Sequence, residues 1–148
     1  MSTEPTAEPE QVAQQDWFLQ SLVNMVNKSP IDFGITLNVA GFLVSGSLIS
    51  GAEYFKGFGS DFSSSFPADS EIVESTRKIY TDFGKMVYKT GEKEADKDDL
   101  ALPSFIHLKN ARFFSTSGNP VPTNRGVWWR GRISEVSGFT LGTLGGPS

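Results

Sequence analysis

The first patterned stretch of the chain has the period of a helix. Phe18, Leu22 and Met25/Val26 recur at three- and four-residue spacing, and Trp17 widens the same face. This spacing places these residues on one face and predicts an amphipathic helix over residues 10–27. Pro30 follows closely, where a helix cannot easily continue. The sequence therefore predicts an N-terminal helix with those apolar residues on its inner face.

Next comes a stretch with the period of a strand. Its apolar positions alternate with polar ones, as in a half-buried strand: Ile35, Leu37, Val39. Ala40–Gly41 then predicts a turn, and residues 42–49 predict the return strand. Gly46 falls in the middle of this second strand, where it indicates a bulge or a sharp bend. The two strands together predict a hairpin.

Two helices are predicted after this hairpin. Ser50 and Glu53 have the spacing of a capping box, in which each satisfies a backbone N–H of the other residue. The first helix should start there and end by Pro67, weakened by two glycines, Gly57 and Gly59. The second should run from about residue 70 to Lys89. Its predicted inner face consists of Ile72, Ile79, Phe83 and Met86.

The C-terminal third predicts three more strands. Residues 105–114 form the first, with a break near Asn110, and residues 115–125 form a polar loop. Residues 127–136 predict a long strand that buries Trp129 and Ile133 and exposes Arg130 and Arg132. A two-residue turn at Ser137–Gly138 then leads into a short return strand over residues 139–141.

These elements predict an α+β fold. It is either a small five-stranded SH3-like or Sm-like β-barrel or a strongly bent sheet, with an N-terminal helix and a two-helix insertion between the hairpins. An open α+β sheet covered by the helices is the alternative. We expect one domain over residues 10–144, with the helical insertion at about 51–90 and a charged linker at 91–101. Residues 1–9 are predicted to be a disordered acidic arm, and residues 145–148 a tail.

Composition argues against an enzyme. The chain has no cysteine and a single histidine, His107, so it lacks the usual ligands of a metal site. No serine lies in a Gly-x-Ser-x-Gly elbow, and no glycine-rich phosphate loop joins a strand to a helix. His107 alternates with apolar neighbours on a strand, which favours a structural or surface role. We expect no catalytic residue, no cofactor and no metal.

Charge is distributed unevenly along the chain. Its net charge is −4, but the segment from Phe105 onward holds five basic residues and one acid and so carries +4. Trp128, Arg130 and Arg132 alternate on one strand and should share one face. Aromatic and arginine residues are enriched in binding hot spots. The sequence thus predicts a candidate interaction face made of Arg112, Trp128, Arg130 and Arg132, with a solvated outer face as the alternative.

Three stretches of sequence resemble the U-type accessory proteins of gas vesicles (GvpU). They lie within roughly residues 32–55 and 105–144. The strings are Leu-Asn-Val-Ala-Gly-Phe-Leu-Val-Ser-Gly from Leu37, Phe-Ile-His-Leu-Lys-Asn from Phe105, and Trp-Arg-Gly-Arg-Ile-Ser-Glu-Val-Ser-Gly-Phe-Thr-Leu-Gly from Trp129.

That resemblance implies a non-catalytic accessory protein that self-associates and promotes the clustering of gas vesicles. Its implied partners are the vesicle shell protein and further copies of itself as a homo-oligomer. An assembly chaperone for shell subunits is the alternative. An Sm-like nucleic-acid-binding module is a weaker one, because the chain is acidic. The N-terminal residues lack an apolar core, and no stretch is long enough to span a membrane. We therefore expect a soluble cytoplasmic protein, associated with gas vesicles.

Overall fold

The computed structural model describes residues 14–88, 102–115, 118–123 and 125–144. The predicted arm at 1–9, linker at 91–101 and tail at 145–148 lie outside them. The helices in this part of the chain are α1 (Trp17–Lys28), α2 (Gly51–Ser63) and α3 (Ile72–Val87). The strands are β1 (Phe33–Val39), β2 (Phe42–Ile49), β3 (Phe105–Phe114), β4 (Pro120–Val121), β5 (Val127–Arg132) and β6 (Val136–Leu141).

One antiparallel sheet organises the chain. Its strands run in the order β6-β1-β2-β3, and both β4 and β5 pair with β3. The helices and this sheet confirm an α+β fold. The predicted five-stranded barrel is not confirmed, because the described strands number six and the sheet they form does not close. β4, which lies within the loop predicted at 115–125, is the additional strand.

The first hairpin is confirmed in detail. Val39 pairs with Phe42, and the two turn residues, Ala40 and Gly41, have φ values of 53° and 85°. Positive φ at both central residues is the geometry of the two-residue turn that matches strand twist. The irregularity predicted at Gly46 is also present, since the register between β2 and β3 shifts between Ser45 and Ser47.

The register shift at Gly46 is a β-bulge, and its extra residue lies on the opposite strand, β3. Asn110 adopts a positive φ of 54°, and the pairing of β3 with β5 shifts at the same place. A Cβ on Gly46 would lie 2.8 Å from the Lys109 carbonyl oxygen, so the close approach of the two backbones requires glycine. The break predicted near Asn110 is therefore a bulge within a continuous strand.

The second predicted turn is wrong. Ser137 and Gly138 lie inside β6, which pairs with β1 rather than returning along β5. The chain bends earlier, in a short 3-10 turn over Ile133–Glu135. That turn links β5, which pairs with β3, to β6, which pairs with β1. Ser137 instead marks a register shift against β1, and its hydroxyl donates to the Asn38 carbonyl at 3.2 Å.

Helix α1 starts later than predicted. The Asp16 side chain accepts hydrogen bonds from the backbone N–H groups of Phe18 and Leu19, so the helix begins at Trp17. Residues 14–16 are not helical, and residues 10–13 lie outside the described part. The buried face is also different, because Phe18 and Met25 are exposed. The apolar residues that α1 buries are Leu19, Val23 and Val26.

These α1 residues complete a core on one face of the sheet. Alternate residues of the strands supply the other side, as the two-residue period requires. The buried cluster comprises Leu19, Val23, Val26, Ile35, Leu37, Val44, Leu48, Ile106, Leu108, Ala111 and Ile133. The strand predicted over 127–136 ends at Arg132, so Ile133 lies in the 3-10 turn, where it is buried as predicted. Arg130 and Arg132 are exposed, which also agrees with the prediction. Trp129 is half-buried and packs against this cluster.

The two helices of the insertion pack closely against each other. A Cβ on Gly84 would lie 3.0 Å from the Ala52 Cα atom, and one on Gly59 would lie 2.9 Å from the Tyr80 Cβ atom. Gly59, predicted only to weaken α2, thus also lets α3 approach that helix closely. The predicted inner face of α3 is wrong. Thr76, Tyr80 and Gly84 face α2, whereas the four apolar residues assigned to that face are exposed: Ile72, Ile79, Phe83, Met86.

The predicted start of α2 is confirmed by its cap. Ser50 has extended backbone geometry, and its Oγ accepts a hydrogen bond from the Glu53 backbone N–H at 3.0 Å. We expect Ser50→Ala to lower the free energy of unfolding by about 1 kcal/mol, since it leaves one helical N–H without its acceptor. Ser75→Ala, at an exposed position inside α3, is the control and should have little effect. Equilibrium denaturation measures both. Equal stability of the two variants would contradict a stabilising role for the cap.

Candidate interaction site

An aromatic cluster around the buried His107 joins the outer face of the sheet to α2. Ile106 and Leu108 point into the core, so His107 between them points to the other face, under the insertion. Its ring centroid lies 4.8 Å from that of Tyr54, 6.1 Å from Phe55 and 5.4 Å from Tyr88. The histidine side chain is fully buried. It is therefore part of the contact that positions the helical insertion.

Arg130 covers the same histidine from β5. The two residues are cross-strand partners, and Arg130 Nε donates a hydrogen bond to His107 Nε2 at 3.2 Å. The guanidinium carbon lies 3.7 Å from the Phe105 ring centroid and 5.7 Å from that of Phe55. Such contacts combine cation–π attraction with packing of the arginine side chain. Although Arg130 is solvent-exposed, it also has a structural role.

The imidazole of His107 stays neutral in this environment. Burial, and secondarily the positive charge of Arg130, lower the pKa of His107 to about 3. Because Nε2 accepts from Arg130, the proton of the neutral ring belongs on Nδ1. Nδ1 has no hydrogen-bond partner among the described residues. A ring with so low a pKa is a poor general acid or base near neutral pH, so the geometry favours the structural role.

Trp128 is also held by α2. Its Nε1 donates a hydrogen bond to Asp61 Oδ2 at 2.8 Å. The indole lies against Gly57, where any Cβ would overlap the ring. The absence of a side chain at Gly57 therefore makes room for Trp128. No local pattern indicated this contact, because its partners are 67 residues apart in the chain.

The remaining two residues of the candidate face are placed separately. Arg132 is exposed at the end of β5, where it pairs with Phe105. Arg112 lies farther along β3, beyond the Asn110 bulge, and pairs with Ser45 of β2. The structure thus brings Trp128 and Arg130 together against α2. It leaves Arg132 and Arg112 at separate points of the sheet.

Lys109 is neutralised within the fold. Its Nζ lies 2.9 Å from both the Asp32 and the Glu53 carboxylates, and these hydrogen bonds raise the pKa of Lys109. The ion pairs connect β3 with the start of α2 and the segment before β1. Lys109 therefore contributes little to the positive face that the C-terminal charge pattern predicted.

Two further features bear on the class of protein. Within the described ranges, no group of three or more His, Cys, Asp or Glu side chains is arranged to hold a metal ion. None of the helices there combines the length and the apolar character needed to cross a bilayer.

Comparison with known proteins identifies one family. A family model described as Gas vesicle protein GvpU-like matches residues 16–144. That range contains every helix and strand of the described residues. No curated protein and no solved structure gives a match.

Proposed function

Since the chain belongs to the GvpU-like family of gas vesicle proteins, as its sequence motifs predicted, we propose that it is a non-catalytic accessory protein that clusters vesicles. In this proposal it works in the cytoplasm at the vesicle surface, contacts the shell protein and associates with further copies of itself. The family match over residues 16–144 is the observation that carries the proposal. The structural role of the single histidine agrees with a protein that works by binding.

Clustering requires more than one shell contact in each particle. A monomer with one contact surface coats a vesicle without linking it to another. A self-associated particle presents several such surfaces, and linked weak contacts give strong overall attachment. The proposal therefore needs two different surfaces, one for the shell and one for another copy of the chain.

We place the shell contact on the basic face of the sheet. The segment from Phe105 onward carries +4 while the rest of the chain carries −8. Lys109 is neutralised within the fold, so the arginines of this segment are the groups that can meet an acidic surface. Arg132 and Arg112 are the residues to test, because Trp128 and Arg130 also hold α2 to the sheet. Charge reversal at Arg130 would place a carboxylate beside buried aromatic rings and disturb the fold.

We expect the double variant Arg112→Glu/Arg132→Glu to fold and to lose vesicle clustering. Light scattering from purified vesicles mixed with protein measures clustering, and flotation with vesicles measures binding. Lys56→Glu, on the exposed side of α2, is a single charge-reversal control and should cluster like the parent chain. High salt should disperse native clusters, because it screens exposed charges. Normal clustering and binding by a folded double variant would place the shell contact elsewhere.

The assembly chaperone is the second candidate function. The exposed apolar side chains of α3 favour it, since a chaperone must cover apolar surface on its client. A chaperone should bind unassembled shell subunits more tightly than finished vesicles. Competition between the two for the purified protein separates the candidates: preference for vesicles supports clustering, and preference for free subunits supports the chaperone.

A further inference from the structure

Helix α3 exposes four apolar side chains along one side, which we call the α3 stripe: Ile72, Ile79, Phe83 and Met86. Each leaves between 45% and 72% of its surface in contact with solvent. Their spacing of seven, four and three residues aligns them along one side of the helix for about 21 Å. Single exposed apolar residues are common on proteins, whereas several aligned on one side of a helix favour an interface.

The stripe adjoins the side of α3 that α2 covers. Tyr80 and Gly84 face α2, and Phe83 lies at the border, with its ring 6.4 Å from Phe55 and 5.7 Å from Tyr80. The apolar arc of α3 is thus wider than one neighbouring helix can cover. A second helix could lie beside α3 and cover the rest.

A row of charges accompanies the stripe, which we call the charged flank: Glu71, Lys78, Asp82 and Lys85. Each member directly precedes a member of the stripe, so the two rows run side by side. From one end to the other the signs are negative, positive, negative, positive. Reversing the row gives the opposite sign at every place, so the flank is complementary to its own reversed copy.

We propose that two copies of the chain pair through α3, with the helices antiparallel and a twofold axis at Ile79. Ile72 of one copy then meets Met86 of the other, and Ile79 meets its own counterpart. Glu71 lies near the second copy's Lys85. The 3.0 Å ion pair of Lys78 with Asp82 joins its symmetry mate in a network of four charges. A twofold axis makes such a self-complementary interface closed, as in most homodimers.

This inference rests on the proposed function and deepens it by naming the self-association surface, and its main tests need no vesicles. Sedimentation velocity over a concentration series should show a dimer of the full chain. Ile79→Glu should weaken the dimer about tenfold or more, because two carboxylates meet at the axis without partners. Leu141→Glu alters another exposed apolar residue, on β6, and should leave the dimer unchanged. Circular dichroism verifies that both variants fold.

Thiol cross-linking tests the antiparallel register, since the natural chain has no cysteine. With a short bis-maleimide, Ile79→Cys should cross-link to itself. Ile72→Cys should cross-link only when mixed with Met86→Cys. Lys85→Glu should weaken the dimer, and adding Glu71→Lys in the same chain should restore it.

Three results would overturn this proposal. They are a monomer at every concentration, a dimer that Ile79→Glu leaves intact, and a monomer whose binding to vesicles depends on Ile79. The last would make the stripe a shell contact. A dimer that Ile79→Glu leaves intact would move the self-association surface elsewhere and leave the proposed clustering standing, whereas a monomer at every concentration would also remove the self-association that clustering requires. The scattering assay with vesicles tests clustering separately.

Discussion

Ile133→Ala should lower the free energy of unfolding by roughly 2–5 kcal/mol, the range for truncating a buried isoleucine. The side chain of Ile133 is completely buried and belongs to the core cluster that α1 completes. Its backbone N–H also donates to the Ser104 carbonyl at 2.8 Å. The residue therefore fixes the short 3-10 turn through which the chain passes from β5 to β6. Denaturant titration at neutral pH measures the loss.

Two further variants make this test quantitative. Ile133→Val removes one methylene and should cost about 0.5–1.5 kcal/mol. Arg132→Ala changes the exposed preceding residue and should stay within about 0.5 kcal/mol of the parent chain. A cost for Ile133→Ala no larger than that of Arg132→Ala would contradict the position of Ile133 in the core.

Local signals predicted the elements whose geometry is decided locally. The Ala40–Gly41 turn, the Ser50 cap and the irregularity at Asn110 each depend on neighbouring residues, and each is present. The alternation along β5 also placed Ile133 correctly. Such features are readable from sequence because φ preference, capping and the two-residue strand period act within a few residues.

Features that depend on a distant partner were not predictable in this way. Ser137–Gly138 has the composition of a hairpin turn, but pairing of β6 with β1 draws it into a strand. On α3, helical periodicity predicted an apolar side of the helix but did not indicate which residues on it α2 would cover. The contacts of Trp128 with Asp61 and of Arg130 with His107 join segments far apart in sequence. The candidate interaction face was therefore predicted from charge alone, without the contacts by which Trp128 and Arg130 hold α2 to the sheet.

The burial of His107 beneath α2 and Arg130 makes the stability of the protein depend on pH. In the unfolded chain its pKa is the ordinary 6.5, and in the folded protein burial and Arg130 lower the pKa to about 3. Between these values the unfolded state binds a proton that the folded state does not. Stability from this residue is therefore complete above about pH 6.5 and is lost as the pH falls towards 3.

We expect acidification from pH 7 to pH 5 to cost about 2 kcal/mol through His107, at about 1.4 kcal/mol for each pH unit below 6.5. His107→Gln cannot take up this proton. Between pH 7 and pH 5 the variant should therefore lose about 2 kcal/mol less stability than the parent chain. Comparing the two pH slopes removes the contribution of the carboxylates, which both proteins share. Equal slopes would contradict the low pKa.

The single histidine also permits a direct measurement, since its imidazole signals in an NMR titration need no separation from others. In the folded protein they should not shift between pH 8 and about pH 4.5. A midpoint near 6.5 would mean that solvent reaches the ring and that α2 does not cover it as the ring distances to Tyr54 and Phe55 indicate. Because α3 packs on α2, loss of that cover would also displace the stripe through which we propose the chains pair. The titration of His107 therefore also tests the packing of α2 that positions the proposed self-association surface on α3.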